Sequence, residues 1–201
     1  MILCGMDEAG RGALAGPVVA GAVILPHDFP PELLTRLNDS KKLSEKERSE
    51  LEPLIKRHSF WGAGVVDHNV IDSVNILRAS LLAMELAFKD LCGRLSECAG
   101  TLLPQVEALA DGTFCPNVPV PCRAEAKADG RYPAVMAASI IAKTCRDAIM
   151  RAYDADFPGY GYARHKGYPT KAHREACLRL GGSPIQRLSF RVQAYSASSK
   201  P

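Results

Sequence analysis

Two carboxylates stand between two apolar runs at the start of this chain. Residues 2–4 (ILC) precede Asp7 and Glu8, and the run 18–25 (VVAGAVIL) follows them. Short runs rich in β-branched residues and bounded by Gly or Pro are typical of buried strands. An isolated carboxylate is strongly disfavoured where such a strand leaves the core. Asp7 and Glu8 therefore require a cationic partner, which is either a divalent metal or the nearby Arg11.

Two other interpretations of this segment have to be weighed. Asp and Glu beside Gly commonly mark solvated turns, and these residues alone do not exclude that interpretation. Residues 10–15 also fit the pattern G-x-G-x-x-A of dinucleotide-binding loops, with Asp28 at a suitable distance for a ribose contact. That fingerprint requires a helix to begin at the glycines. Pro17 and a strand-like run follow instead, which disfavours dinucleotide binding.

Length and composition indicate one soluble globular domain. A chain of 201 residues, 47% hydrophobic and 23% charged, can bury a core of ordinary size. We expect a single domain over 1–201, with a core at about 1–158, a basic C-terminal segment at about 159–192 and a flexible tail at 193–201. No apolar run approaches the roughly 20 residues that span a bilayer, and no signal peptide is evident. We therefore expect a cytoplasmic protein with no membrane partner.

Cysteine usage and the distribution of charge refine this expectation. Seven cysteines, an odd number without a C-x-x-C pair, favour reduced thiols over a disulfide framework or a zinc site. The net charge is only +3, but residues 162–191 hold seven Lys or Arg against one acid. Clustered positive charge suits a polyanion such as nucleic acid, and a solvated basic face is the alternative.

Hydrophobic patterns predict an α/β fold with a mixed sheet. The first two strands should pair antiparallel, because the loop at 10–16 between them is short. Further strands are predicted at 59–66, 105–110 and 119–125. Helices are predicted from the capping box Ser44–Glu47 to about Arg57 with a bend or an interruption at Pro53, within 69–92, from Pro133 to about Ala155, and near 170–180.

Four carboxylates lie at or just after the ends of predicted strands: Asp7, Glu8, Asp111 and Asp129. Sites assemble at strand ends along one edge of an open α/β sheet. Oxygen ligands suit Mg²⁺ or Mn²⁺, and two such ions about 4 Å apart can stabilise both oxygens of an in-line phosphoryl displacement. Taken singly, each acid also fits an ordinary turn.

Six motifs resemble those of bacterial ribonuclease HII, the type 2 ribonuclease H, and they follow the order and spacing of that family from residue 2 to about 192. They are Asp7-Glu8-Ala9-Gly10-Arg11-Gly12, Asn38-Asp39-Ser40-Lys41-Lys42-Leu43, Asp111-Gly112, Lys127-Ala128-Asp129, Ala137-Ala138-Ser139-Ile140-Ile141-Ala142-Lys143 and His165-Lys166-Gly167-Tyr168.

The resemblance implies a ribonuclease H-like mixed sheet flanked by helices, with the basic helical segment at the C-terminus. It implies two Mg²⁺ or Mn²⁺ ions in the substrate complex and hydrolysis of RNA in RNA/DNA hybrids. It also implies incision on the 5′ side of single ribonucleotides in duplex DNA, leaving 3′-hydroxyl and 5′-phosphate ends. By position, Asp7, Glu8, Asp111 and Asp129 would be the catalytic and metal-binding carboxylates.

The resemblance also implies substrate-binding roles. Gly10, Arg11 and Gly12 would read the 2′-hydroxyl through backbone groups, and Tyr168 would pack on the sugar at the RNA–DNA junction. In one departure, Ala128 replaces the usual family glycine. If that position needs a positive φ, alanine costs about 1 kcal/mol.

The chemistry of the residues supports these roles. Glycines permit close backbone approach to a hydroxyl, and a tyrosine beside a glycine offers a stacking surface. Cations bind phosphates without reading bases. The other predicted substrate-binding residues are Lys41, Lys42, Ser139, Lys143, Arg146, His165 and Lys166. A polar helix face is the alternative for Lys143 and Arg146, and the alternatives for His165 are a proton-transfer role or simple exposure.

We therefore expect a monomeric, metal-dependent endoribonuclease that binds RNA/DNA hybrid and ribonucleotide-containing duplex DNA. A nuclease acting on DNA alone is disfavoured by the glycine loop and Tyr168. A non-catalytic binding module is disfavoured by the four carboxylates, because acids weaken polyanion binding unless metal offsets them. Residues 193–201 show no evident clamp-binding peptide.

Overall fold

The computed structural model describes residues 1–95 and 103–190. Its strands are β1 (Ile2–Ala9), β2 (Val18–Ile24), β3 (Phe60–Val66), β4 (Val106–Asp111) and β5 (Cys122–Glu125). Its α-helices are α1 (Pro31–Leu34), α2 (Glu45–His58), α3 (His68–Val74), α4 (Ile76–Leu95), α5 (Pro133–Asp156), α6 (Tyr162–His165) and α7 (Lys171–Leu180), with 3-10 turns at Leu103–Gln105 and Ala128–Gly130. The predicted α/β class with a mixed sheet is confirmed.

The strands form one sheet in the order β3-β2-β1-β4-β5. Strand β1 pairs antiparallel with β2, as the short connection predicts, and the pairing runs from Cys4↔Ile24 to Ala9↔Val19. Strands β1, β4 and β5 run parallel to one another. The carboxyl ends of these three strands therefore meet at one edge of the sheet, where the acidic residues were expected.

Helices cover both faces of the sheet. Helix α4 packs on one face, with Phe88 and Leu91 in the same core as Met6 of β1. Helices α2 and α5 cover the other face. Gly21 of β2 allows α5 to approach closely, since a Cβ there would lie 2.3 Å from the Ala138 carbonyl oxygen. This close packing brings the next helical residue, Ser139, to the edge where the acidic strand ends meet.

Two sequence-based expectations about strands and helices need correction. Pro53 does not interrupt helix α2, because buried Leu51 and Ile55 on either side hold the helix against the core despite the lost amide donor, and a bend there stays a prediction. The first strand extends beyond residue 4 to Ala9, because its ladder with β2 continues that far. Asp7 and Glu8 therefore lie within a strand, and their side chains alternate between its two faces.

The expectation about strain at Ala128 does not hold. The residue with a positive φ is the neighbouring Lys127, at 63°. Ala128 is the first residue of the 3-10 turn and is completely buried. Alanine is therefore compatible with the backbone at position 128, and the departure from the usual family residue carries no such cost.

The basic C-terminal segment is less uniform than its sequence suggests. Helix α7 begins at the N-cap Thr170 and carries exposed Lys171 and Arg174. Lys166 and Arg187, which contribute to the same positive charge in the sequence, are buried. Arg191 and the tail 193–201 lie outside the described residues.

The expectations about cysteine thiols and about membrane-spanning segments can be compared with the residues that the structure describes. The cysteines in these ranges are all free thiols, and Cys98 lies outside them. Among the same residues, no helix combines the length and the apolar character needed to cross a bilayer. The division into a core, a basic segment and a tail stays a prediction.

Candidate active site

Three carboxylates come together at the shared edge of the sheet. Asp7 lies near the end of β1, Asp111 ends β4, and Asp129 lies in the 3-10 turn that follows β5. One oxygen from each lies within 4.8 Å of the others. The parallel arrangement of β1, β4 and β5 thus gathers residues from distant parts of the sequence. We call Asp7, Asp111 and Asp129 the carboxylate cluster.

Backbone and hydroxyl groups hold these carboxylates in place. The amide of Glu8 donates to Asp7 Oδ1 at 2.7 Å, and the amide of Ala128 donates to Asp111 Oδ1 at 2.8 Å. Ser139 of α5 also hydrogen-bonds to the Asp7 side chain. Its hydroxyl lies 2.7 Å from that of Ser40, which ties the loop at 39–42 to the same site.

The cluster carries more negative charge than its surroundings compensate. Burial and then the neighbouring Glu8 raise the pKa of Asp7 well above its usual range. Burial and then Asp129 raise the pKa of Asp111. A cation beside the cluster is Lys41, whose Nζ lies 3.5 Å from Asp129 Oδ2. Although partial burial opposes its charge, the carboxylates of Asp7, Asp39 and Asp129 raise the pKa of Lys41.

A divalent cation fits this donor set. The oxygens are hard ligands close enough for a shared ion, and the raised pKa values of Asp7 and Asp111 show that their ionisation is costly without additional positive charge. Mg²⁺ and Mn²⁺ prefer such oxygen ligands, whereas zinc sites usually include His or Cys. The residues present therefore match the metal dependence that the sequence motifs imply.

Glu8 differs from the other three predicted carboxylates. Its side chain lies outside the carboxylate cluster, and Oε1 is 3.6 Å from Nη1 of Arg11. Burial raises the pKa of Glu8, and Arg11 opposes that rise. Alternation along β1 accounts for the separation, since neighbouring side chains of a strand point to opposite faces. Metal binding by Glu8 stays a prediction.

An open pocket of about 490 Å³ lies beside the cluster. We call it the glycine-loop pocket, because the backbone of 10–12 forms one wall. The other side chains that line it include Glu8, Ser40, Lys41, Ser139, Lys143 and Tyr168. A larger pocket of about 650 Å³ beside Trp61 contains no residue of the carboxylate cluster. The predicted loop, lysines, serine and tyrosine thus line one cavity next to the acidic residues.

Tyr168 stands over two cations. Nζ of Lys143 lies 5.5 Å from the centre of its ring, and Cζ of Arg146 lies 5.2 Å away. Lys143 also pairs with Asp147 at 2.7 Å. Both cations come from α5, the helix that supplies Ser139. Tyr168 and Lys143 both line the glycine-loop pocket, whereas Arg146 does not.

The prediction that Arg146 contacts a substrate phosphate is wrong for this structure, because its side chain is completely buried. Its guanidinium donates to the carbonyls of Ala15, Pro17 and Lys166, at 3.2, 2.8 and 2.9 Å. Arg146 lies four residues after Ala142 and four before Met150, both buried, so helical spacing already placed it on the apolar face of α5.

Arg187 belongs in the sequence to the basic C-terminal segment, but the structure places it behind the glycine loop. It is fully buried and donates to the carbonyls of Arg11, Gly16 and Pro17. Burial lowers the pKa of Arg187 to about 9, with Arg146 contributing as a second cation. Together, these two guanidinium groups fix the connection between β1 and β2 that carries the glycine loop.

His165 and Lys166 support the pocket from behind. His165 Nδ1 accepts from the amide of Gly167 at 3.2 Å, and the ring stacks on His173 with centroids 4.4 Å apart. His173 Nδ1 lies 3.0 Å from the carbonyl oxygen of Tyr168. Lys166 is buried, and its Nζ donates to the carbonyl oxygen of Ala163. Its side chain is therefore not available for the predicted phosphate contact. Lys42 is exposed and lies in a separate pocket.

Comparison with known proteins identifies close relatives over nearly the full chain. The family model described as Ribonuclease HII matches residues 4–193. Ribonuclease HII of Chlorobium chlorochromatii is 46% identical over 194 residues, covering 95% of this chain and 90% of that protein. Ribonuclease HII of Porphyromonas gingivalis is 48% identical over 189 residues, covering 94% and 88%.

Solved structures share the fold. Ribonuclease H2 from Pyrococcus horikoshii OT3 superposes with a TM-score of 0.71 at 25% identity, covering 98% of this chain and 96% of that one. Bst-RNase HIII in complex with Mn²⁺ superposes with a TM-score of 0.75 at 17% identity, covering 99% and 70%. The mixed sheet with helices on both faces is therefore the architecture of these nucleases.

Proposed function

This chain belongs to the ribonuclease HII family, and from that premise we propose that it cleaves RNA in RNA/DNA hybrids and also incises duplex DNA at single ribonucleotides. As a member of the family, it is a hydrolase of the endoribonuclease class. The proposed incision lies on the 5′ side of the ribonucleotide and leaves 3′-hydroxyl and 5′-phosphate ends. We propose the cytoplasm as its location, where free thiols stay reduced.

The observation that carries this proposal is the position of the glycine-loop pocket beside the carboxylate cluster. Only RNA carries a 2′-hydroxyl, and an exposed glycine backbone can approach that group closely. Tyr168 lines the same pocket and would offer its ring to a sugar, while Lys41 and Lys143 would contact phosphate. A nuclease for DNA alone has no need of a sugar-reading wall.

Asp7, Asp111 and Asp129 would hold the divalent ions, with Glu8 as a further proposed ligand. When bound, two Mg²⁺ or Mn²⁺ ions supply electrostatic stabilisation of the attacking and leaving oxygens of the phosphoryl displacement. Lys41, with an exposed side chain beside Asp129, is positioned to pair with a substrate phosphate as well as with the cluster. Arg146 and Arg187 keep the glycine loop rigid, which preserves the geometry that distinguishes ribose from deoxyribose.

The direct test is a duplex with one ribonucleotide, incubated with Mg²⁺, with Mn²⁺ or with chelator, and with the cut position mapped. We expect a single cut 5′ of the ribonucleotide in the presence of either metal. An identical duplex with deoxyribose at that position is the control and should stay intact. Equal cleavage of both duplexes would instead favour a nuclease that does not read the 2′-hydroxyl.

Replacing Tyr168 with Ala should weaken transition-state stabilisation by about 1–3 kcal/mol, the usual range for an aromatic stacking contact. The loss should be greater for a single ribonucleotide than for a continuous hybrid, where discrimination between sugars matters less. Values of kcat/KM on both substrates measure it. Tyr168→Phe is the matched variant and should retain most activity, because it keeps the ring. Equal losses on both substrates would point to general damage to the fold.

The exposed residues Lys171 and Arg174 of α7 are proposed to bind duplex phosphates. Replacing both with Gln should weaken binding similarly on hybrid, single-ribonucleotide duplex and plain DNA, and should leave the cut position unchanged. A plot of the logarithm of the binding constant against log[salt] has a negative slope, and the magnitude of that slope should decrease by about one unit for each charge removed. Titrations at several salt concentrations measure this. An unchanged slope would identify these residues as solvated surface charge.

A further inference from the structure

A second pocket adjoins the carboxylate cluster on another side. It has a volume of about 530 Å³ and lies between the loop at 39–42 and the segment at 126–131. Lys41 lines both this second pocket and the glycine-loop pocket. Asp129 lines only the second pocket, and Tyr168 lines only the glycine-loop pocket. The two pockets therefore flank the cluster, with Lys41 between them. We call the second pocket the basic cleft.

Positive charge dominates the basic cleft. Lys41, Lys42, Lys127 and Arg131 line it, against the carboxylates of Asp39 and Asp129. Both carboxylates already have other partners. Asp39 Oδ1 accepts a hydrogen bond from the backbone amide of Lys41 at 2.9 Å, and Asp129 belongs to the carboxylate cluster. The cleft thus presents several solvent-exposed cations beside a site that we propose binds metal. Such a surface suits an extended polyanion better than a small apolar ligand.

The segment that carries Lys127 is held rigidly against the cluster. Lys127 adopts a left-handed conformation with φ 63° and ψ 32°, which is costly for a residue other than Gly, Asn or Asp. The next residue, Ala128, is buried and donates its amide to Asp111. The amide of Gly130 closes the turn on the Lys127 carbonyl at 3.2 Å. The backbone of Lys127 is therefore anchored two residues before Asp129, beside the proposed metal site.

Arg131 is placed to act with Lys127. Its guanidinium pairs with Glu125 and donates to the carbonyl of Ala126 at 3.0 Å. The side chain nevertheless remains 56% exposed, so it has surface available for a further partner. The pairing with Glu125 restrains the guanidinium at the mouth of the cleft. A preorganised arginine loses less conformational entropy on binding a phosphate than a free one does.

We propose that Lys127 and Arg131, together with Lys42, bind backbone phosphates of the cleaved strand on the 5′ side of the incision. This inference rests on the proposed function. The glycine-loop pocket would hold the ribonucleotide, which lies 3′ of the bond that is cut. The strand has to leave the carboxylate cluster in the other direction, and the basic cleft provides a positively charged exit there. Contacts of this kind position the strand without reading its bases.

The test uses Lys127→Asn, Arg131→Gln and the double variant on duplexes with one ribonucleotide. Asn tolerates the left-handed conformation, so Lys127→Asn removes the charge without adding backbone strain. With a long 5′ flank, each variant should raise KM by about 2–5-fold, as expected for an exposed ionic contact, with little change in kcat. The salt slope of binding should fall by about one unit for each charge removed. Lys89→Gln, an exposed lysine of α4 beside the pocket at Trp61, is the matched control and should behave as the wild type does.

Substrate truncation tests the direction of the proposed strand path. Shortening only the 5′ flank of the cleaved strand should raise KM for the wild type and abolish its difference from the variants. If shortening the 3′ flank or the complementary strand abolishes the difference instead, the proposed strand path is wrong. Unchanged KM and salt slope would likewise overturn it. Failure of the wild type to cleave the ribonucleotide duplex would be a failure of the proposed function, which is visible without any variant.

Discussion

Replacing Asp7 with Asn is expected to reduce cleavage by at least about 10²–10³-fold, the effect of removing one preorganised electrostatic group, while duplex binding is retained. Asp7 is the most buried member of the carboxylate cluster, and it lies within 4.8 Å of both other carboxylates. The substitution preserves side-chain shape and removes the charge that would hold a divalent ion. Single-turnover cleavage and binding titrations with the single-ribonucleotide duplex measure the two effects separately.

The same substitution should stabilise the protein in chelator. Burial, followed by the neighbouring Glu8, raises the pKa of Asp7 in the folded protein. Protonated Asp7 therefore contributes its full stability at pH values below the unfolded-state pKa. That contribution is lost as the pH rises through the folded-state pKa. Above that range, ionised Asp7 costs stability, and Asn removes the cost. For a chain of this size, each kcal/mol gained raises Tm by about 2–4 °C.

Thermal unfolding with chelator and with Mn²⁺ provides the check on Asp7. The wild type should gain Tm on addition of Mn²⁺, and Asp7→Asn should lose most of that gain. Asp28→Asn, an exposed carboxylate after β2, is the matched control and should change neither activity nor the response to metal. Full turnover by Asp7→Asn at saturating metal would contradict the proposed role of Asp7.

Replacing Gly10 with Ala is expected to destabilise the fold by about 2–5 kcal/mol, since left-handed strain adds to overpacking. Gly10 has a φ of 97°, and a Cβ there would lie 1.9 Å from Nε of buried Arg146. Arg146 cannot move away without releasing the carbonyls of Ala15 and Pro17. Denaturant unfolding measures the change in the free energy of unfolding, and activity should fall with the folded fraction.

Gly12→Ala is the matched variant for this glycine loop. A Cβ at position 12 would meet no heavy atom within 4 Å, and the residue is exposed, so the fold should retain its stability. Cleavage should nevertheless fall, by up to about 10²-fold, because the added methyl group displaces the ribose from the backbone. A Gly12→Ala protein that is stable and fully active would show that the substrate does not approach the backbone at this position.

The amino-acid sequence by itself predicted three acidic residues that come together in the proposed site. Asp7, Asp111 and Asp129 were identified from their positions at strand ends, and the structure brings all three together. Strand ends are predictable because apolar runs and their Gly or Pro boundaries are local signals. The α/β class, the antiparallel pairing of β1 with β2 and the helix that begins at Ser44 follow from local signals as well.

Helical spacing signals the burial of Arg146, but only the tertiary structure decided that Lys166 and Arg187 are buried. Lys166, Arg146 and Arg187 are indistinguishable from surface cations in composition, yet each is buried and bound to backbone carbonyls. The partners of Arg146 and Arg187 lie in distant segments, and Lys166 binds a carbonyl of its own helical turn, so residue type alone does not reveal the burial of any of them. Likewise, Glu8 is separated from Asp7 because one residue along a strand reverses the direction of the side chain. Local pattern predicts which groups approach the site, whereas long-range packing determines which of them face the substrate.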